Sequence, residues 1–151
     1  MKTTIIIAIL MTAGTPAIAA DAYLCFPDMS TGFAFDKTSQ KWHPANFNVS
    51  GKKYLLKRTA AGFVWGDFGS TLPPDRCDDF NGGGFTFCHG IESVTFNEKS
   101  LRFQIEYSIG YTSGGLAGQL NDGENTPFIE IGTCAGFRAW GPADFLSWVP
   151  P

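Results

Sequence analysis

Histidine is scarce in this chain: His43 and His89 are the only two in 151 residues. So few imidazoles leave little material for a zinc site, whose ligands are chiefly Cys and His. Basic charge is scarce too, with 11 Lys and Arg against 14 Asp and Glu, and affinity for nucleic-acid phosphate needs a clustered positive surface. The one basic cluster, Lys52-Lys53 with Lys57-Arg58, would point to both faces of a strand and reads as a solvated edge that discourages strand pairing. After residue 19 no apolar run approaches the length that spans a bilayer. The glycine patterns of a nucleophile elbow, a phosphate loop and a dinucleotide site are also missing, so no cofactor is expected, and nucleic acid is not an expected partner.

The start of the chain has the form of an export leader. Lys2 supplies a basic start, Ile5 to Met11 an apolar core, and Ala17-Ile18-Ala19 the small residues a signal peptidase reads. Residues 1–19 are therefore expected to be removed, leaving a single β domain over 20–151 without a transmembrane segment. Removing Lys2 takes the net charge from −3 to −4. A periplasmic or secreted monomer is the expectation.

What the remainder holds in abundance is aromatic residues: all 14 Phe, 4 Trp and 4 Tyr lie beyond residue 19, punctuated by Gly and Pro. That is β composition. From Leu101 to Tyr111 apolar residues alternate with polar ones, which predicts a strand with Phe103, Ile105 and Tyr107 inside and Arg102, Gln104 and Glu106 in water. Further strands are expected over 32–35, 41–47, 53–59, 63–68, 84–89, 93–96 and 128–134. Short connections imply antiparallel neighbours, hence one meander of about eight strands that forms a small barrel or a sandwich, with closure favoured because it removes edges. Two segments, Phe35 to Trp42 and Phe96 to Phe103, share an aromatic-Asx start, a Ser and an aromatic end, the chemistry of an Asx-initiated hairpin. Residues 69–84 and 112–126 read as long loops, and the tail from Gly141 as one helical turn, with Pro142 at its start and Phe145 and Trp148 on one face, plugging an end of the barrel.

Four cysteines allow three pairings. Cys77 with Cys88 closes a local loop, and Cys25 with Cys134 ties chain ends that adjoin in a closed meander. Each bond contributes on the order of 3 to 5 kcal/mol by the chain-entropy account, the longer loop more. A Cys88 nucleophile beside His89 is disfavoured because adjacent strand residues point to opposite faces. Asp75, Asp78, Asp79 and Asn81, with His89, form the candidate loop site; they lack the alternation and terminal Glu of a calcium loop, so no metal is expected. No catalytic residue is assigned, although carboxylates that hydrolyse glycosides meet in space rather than in sequence.

At Tyr23-Leu24-Cys25, Thr31-Gly32-Phe33, Lys41-Trp42, Asn97 to Phe103 and Phe128-Ile129-Glu130-Ile131-Gly132-Thr133-Cys134, the chain resembles small exported hypothetical proteins of bacteria, chiefly alphaproteobacteria. The resemblance covers nearly all of the chain after the leader and implies export, but transfers no activity. In its Tyr-x-Cys start and late cysteine the chain is also similar to the periplasmic lysozyme inhibitors built on a small β-barrel. Their Ser-Gly-x-x-Tyr loop is not matched: Ser113-Gly114-Gly115-Leu116-Ala117 has Ala in place of Tyr. The expected function is a non-enzymatic binding module for a protein or other envelope ligand. The alternatives are a small hydrolase using loop carboxylates and an inhibitor of a cell-wall enzyme.

Overall fold

Nine strands follow one another along the chain: β1 (Ala22–Asp36), β2 (Lys41–Phe47), β3 (Tyr54–Thr59), β4 (Gly62–Asp67), β5 (Asp75–Cys77), β6 (Phe85–His89), β7 (Ser93–Asn97), β8 (Arg102–Tyr107) and β9 (Phe128–Phe137), with one helical turn, α1 (Ile109–Thr112), before β9. The computed structural model describes residues 20–112 and 125–137. The leader, residues 113–124 and the tail expected to form a helical turn lie outside the described residues. Every strand pair is antiparallel, and β1 pairs with β9, so the sheet closes on itself as an eight-stranded barrel with β2 as an extra strand. The fold is the closed alternative of the two expected architectures.

β1 explains the extra strand. It is 15 residues long, far longer than the expected 32–35, and one of its edges carries β3 opposite Ala22 to Cys25 and β2 opposite Ser30 to Asp36. β2 and β3 are thus two pieces of one hairpin arm. Between them, residues 48–53 make an excursion where β1 uses only residues 26–29, because Ser30 faces Phe47 while Cys25 faces Tyr54. An Asx turn shapes the excursion: Asn48 Oδ1 accepts from Ser50 N at 2.9 Å, and Gly51 takes φ 82°.

The two hairpins with shared sequence have one conformation. Asp36 Oδ1 accepts from Thr38 N and Asn97 Oδ1 from Lys99 N, at 2.8 and 2.9 Å. The equivalent residues Gln40 and Leu101 both adopt positive φ, 55° and 57°. Phe35 faces Trp42 and Phe96 faces Phe103 across the strands. Both disulfides join directly opposed residues of neighbouring strands, Cys25 to Cys134 and Cys77 to Cys88, as the closed meander requires.

Two strand boundaries correct the sequence reading. β8 stops at Tyr107 rather than Tyr111, because its ladder partners end at Ser93 and Phe128; beyond them the chain satisfies its backbone locally in α1. The expected loop over 69–84 contains β5, whose three residues bridge β4 and β6 and complete the barrel wall.

The interior is filled by side chains. Tyr23, Leu56, Phe63, Trp65, Val94, Phe96, Phe103 and Ile105 are buried together around Cys25 and Cys88, while Arg102, Gln104 and Glu106 face water as β8's alternation predicts. One end is stoppered from within: the Phe80 ring packs against Tyr23, Phe63 and Phe96 at centroid distances of 6.3, 4.9 and 6.0 Å. Cys77 to Cys88 anchors the segment that carries it. The opposite end, where residues 48–53, 68–74, 90–92 and 125–127 gather, mixes charged and apolar side chains.

Candidate functional site at the barrel mouth

Strand parity sets the chemistry of this open end. Cys134 must face inward to reach Cys25, and period two then turns Gly132, Glu130 and Phe128 inward and Ile129 and Ile131 outward. β9 is therefore amphipathic in reverse at its mouth end, with a glutamate inside that is 0% exposed. β1 reaches the same place through a bulge. Its pairing with β9 shifts between Pro27 and Met29, so inward positions pass from odd to even residues and Ser30 comes to lie opposite Glu130.

A buried carboxylate needs partners. Tyr54, the first residue of β3, donates its hydroxyl to Glu130 Oε1 at 2.5 Å, and Lys52 Nζ reaches Oε2 at 2.9 Å. The Asn48 to Gly51 turn is what lifts Lys52 over the rim, and its ammonium also lies 5.5 Å above the centre of the Phe128 ring. The Tyr54 ring stacks on Trp65 at 5.2 Å and meets Phe103 edge-on at 5.8 Å, which fixes where its hydroxyl points. Burial, then the bond to Glu130, pushes the Tyr54 phenol far above its ordinary range, so it serves as a donor at any physiological pH.

Two clefts of about 850 and 730 Å³ meet at the rim residues Lys52, Ile91, Glu92 and Phe128, and the first also runs along the outer wall past Leu55, Lys57 and Val64. Asp67 and Asp75 line the first, and Ser30 with Tyr107 the second. Glu92 sits between them. Burial pushes its carboxyl up from the ordinary value, the negative charges of Asp67 and Glu130 push it further, and Lys52 only partly offsets them. Ser30 is 3% exposed and its Oγ has no hydrogen-bond partner.

The residues singled out from sequence do not converge. Asp75 lines the mouth, whereas Asp78 pairs with His89 on the outside of the wall, Oδ2 to Nε2 at 3.2 Å. Asn81 Oδ1 is spent as a turn acceptor for Gly83 N and Phe85 N, and Asp79 is exposed in the same segment, at the stoppered end. Among the described residues no three His, Cys, Asp or Glu side chains gather as a metal site, and no cysteine is free. Ser30, Lys52, Tyr54, Glu92 and Glu130 escaped the sequence reading. The signal for Glu130 was its even spacing from Cys134. Lys52 corrects the solvated-edge reading of the basic cluster, since its charge turns into the mouth. No family model matches the chain, and no curated protein or solved structure matches it either.

Proposed function

We propose that this is an exported, non-enzymatic binding module whose ligand end is the mouth of the barrel. The observation that carries the reading is the convergence, on one rim above a filled core, of a concave surface with Lys52, Glu92 and Phe128 and an unsatisfied Ser30 hydroxyl beneath it. Ligand sites combine apolar walls with a few convergent polar groups, and barrel mouths are a common place for them. Export, to the periplasm or beyond, is supported by the leader-like start, by two disulfides and by the resemblance to small exported bacterial proteins. Among the described residues no helix is long and apolar enough to cross a membrane.

Glu130 fits a binding role in that both of its oxygens already accept hydrogen bonds from the protein itself, from Lys52 and Tyr54. A hydrolase reading draws on one specific observation, the raised Glu92 carboxyl in the same cleft as Asp67 and Asp75, a combination that suits a general acid. Two assays on the purified protein separate the readings. The binding module predicts a ligand-dependent rise in unfolding midpoint that Ser30→Ala with Glu92→Gln removes. Specific turnover of a glycan, peptide or ester that Glu92→Gln abolishes would instead establish the hydrolase. Tight complex formation with a lysozyme would establish the inhibitor.

A further inference from the structure

We propose that the mouth binds the ammonium group of an alkyl amine, with the Glu92 carboxylate and the Ser30 hydroxyl as its polar contacts and the Phe128 and Ile91 rim against its hydrocarbon chain. The inference rests on the reading of the mouth as the ligand end and adds the class of ligand.

Five observations lead to a cation of this kind. The charges acting on Glu92 are predominantly negative, Asp67, Glu130 and Asp75 against Lys52, so a cation placed among them lowers the electrostatic energy of the set; Lys53 and Lys57 line the first cleft, and the charged residues among those described in the second are Lys52 and Glu92. The mouth already accommodates one ammonium against a carboxylate and an aromatic face, since Lys52 Nζ sits 2.9 Å from a Glu130 oxygen and 5.5 Å above the Phe128 ring. Ser30, 3% exposed, lines the second cleft with Lys52 and Glu92, and its buried Oγ has no hydrogen-bond partner. An ammonium has three donors and no acceptor, and a hydroxyl lone pair with a carboxylate oxygen satisfies two of them. Among the described residues the acids are not grouped as a metal ion requires. The cleft walls above Ser30 are apolar and aromatic, from Phe47, Ile91, Tyr107 and Phe128, a lining that suits a hydrocarbon stem and not a hydrated inorganic ion.

The test is an amide-shift titration of the isotopically labelled protein at neutral pH. The probes are 1-aminobutane, the amide of Nα-acetyl-lysine, 1-butanol and butyrate. Both ammonium probes are expected to give saturable shifts at Ser30, Lys52, Glu92 and Phe128, and the tighter of the two tells a free amine from a lysine side chain as the source. Glu92→Gln, which leaves the fold intact, is expected to weaken them about tenfold, the value of a charge-assisted hydrogen bond. Asp79→Asn, at the stoppered end, is expected to change nothing. Equal mouth shifts from 1-butanol or butyrate, unweakened ammonium binding in Glu92→Gln, or no ammonium binding at all would overturn the ammonium assignment while leaving the mouth as a ligand end. Saturable shifts confined to the Phe80 end would overturn both.

Discussion

Replacing Lys52 with Met should destabilise the protein more than replacing Glu130 with Gln, although both break the same ion pair. Glu130 is 0% exposed, whereas 42% of the Lys52 side chain is in contact with solvent. When Glu130→Gln removes the negative charge, the ammonium swings into water and the Tyr54 hydroxyl keeps an acceptor, so the loss is about 1 kcal/mol. Lys52→Met strands a carboxylate that cannot move to water. Breaking a fully buried pair costs about 3 to 5 kcal/mol; partial exposure of the lysine lets some water approach and lowers the expectation to about 2 to 3. The double variant should be more stable than Lys52→Met alone, with a coupling of about 2 kcal/mol in the cycle. Urea unfolding of the four proteins at pH 7 measures all of these quantities. Lys52→Met within about 0.5 kcal/mol of native, or two losses that simply add, would refute the account of the pair.

Glu92→Gln should stabilise the fold at neutral pH. The native protein holds the Glu92 proton more tightly than the unfolded chain does, so ionisation weakens the native state as pH rises from the ordinary value of 4.5 through the raised one; denaturation curves of the two proteins should converge in acid and separate above it, and separation in the opposite sense would contradict the desolvated Glu92. Ile105→Ala should cost about 2 to 5 kcal/mol while Gln104→Ala is near neutral, and equal losses in urea would overturn the β8 register. Gly132→Ala should cost about 2 kcal/mol or more, because a methyl there collides with the Phe26 carbonyl oxygen and the Phe103 ring; Gly82→Ala, with nothing near it, serves as the tolerated control in thermal melts.

The parts of this fold that are legible in the sequence are those set by local or strictly periodic chemistry. Asp36 and Asn97 act within four residues of themselves, so their hairpins could be read directly. Alternation along β8 reports its buried face because β9 runs beside the whole strand and β7 beside all of it but Tyr107. The disulfide pairing followed from closure of the meander. The mouth was obscured for a different reason. Hydrophobicity alone would turn Ile129 and Ile131 inward; only the tether from Cys134 to Cys25, a long-range constraint, sets the parity that buries Glu130. Ser30 depends on a bulge near Asp28 that shifts β1 by one residue, and nothing in the local sequence states where the inward phase changes. Lys52 looked like one charge in a solvated run because its partner is 78 residues away. Asp75 was read together with Asp78 as one loop, yet β5 carries the chain from the mouth toward the stoppered end and separates them.

The most direct test of the mouth as the ligand end is an amide-shift map of the native protein against a set of small polar and charged fragments, read over every assigned residue. The account predicts that saturable shifts cluster on Ser30, Lys52, Ile91, Glu92 and Phe128. Saturable shifts clustered instead on the outward face around Met29, Ile129 and Ile131, or around Asp78 and His89, with the mouth unmoved, would contradict it.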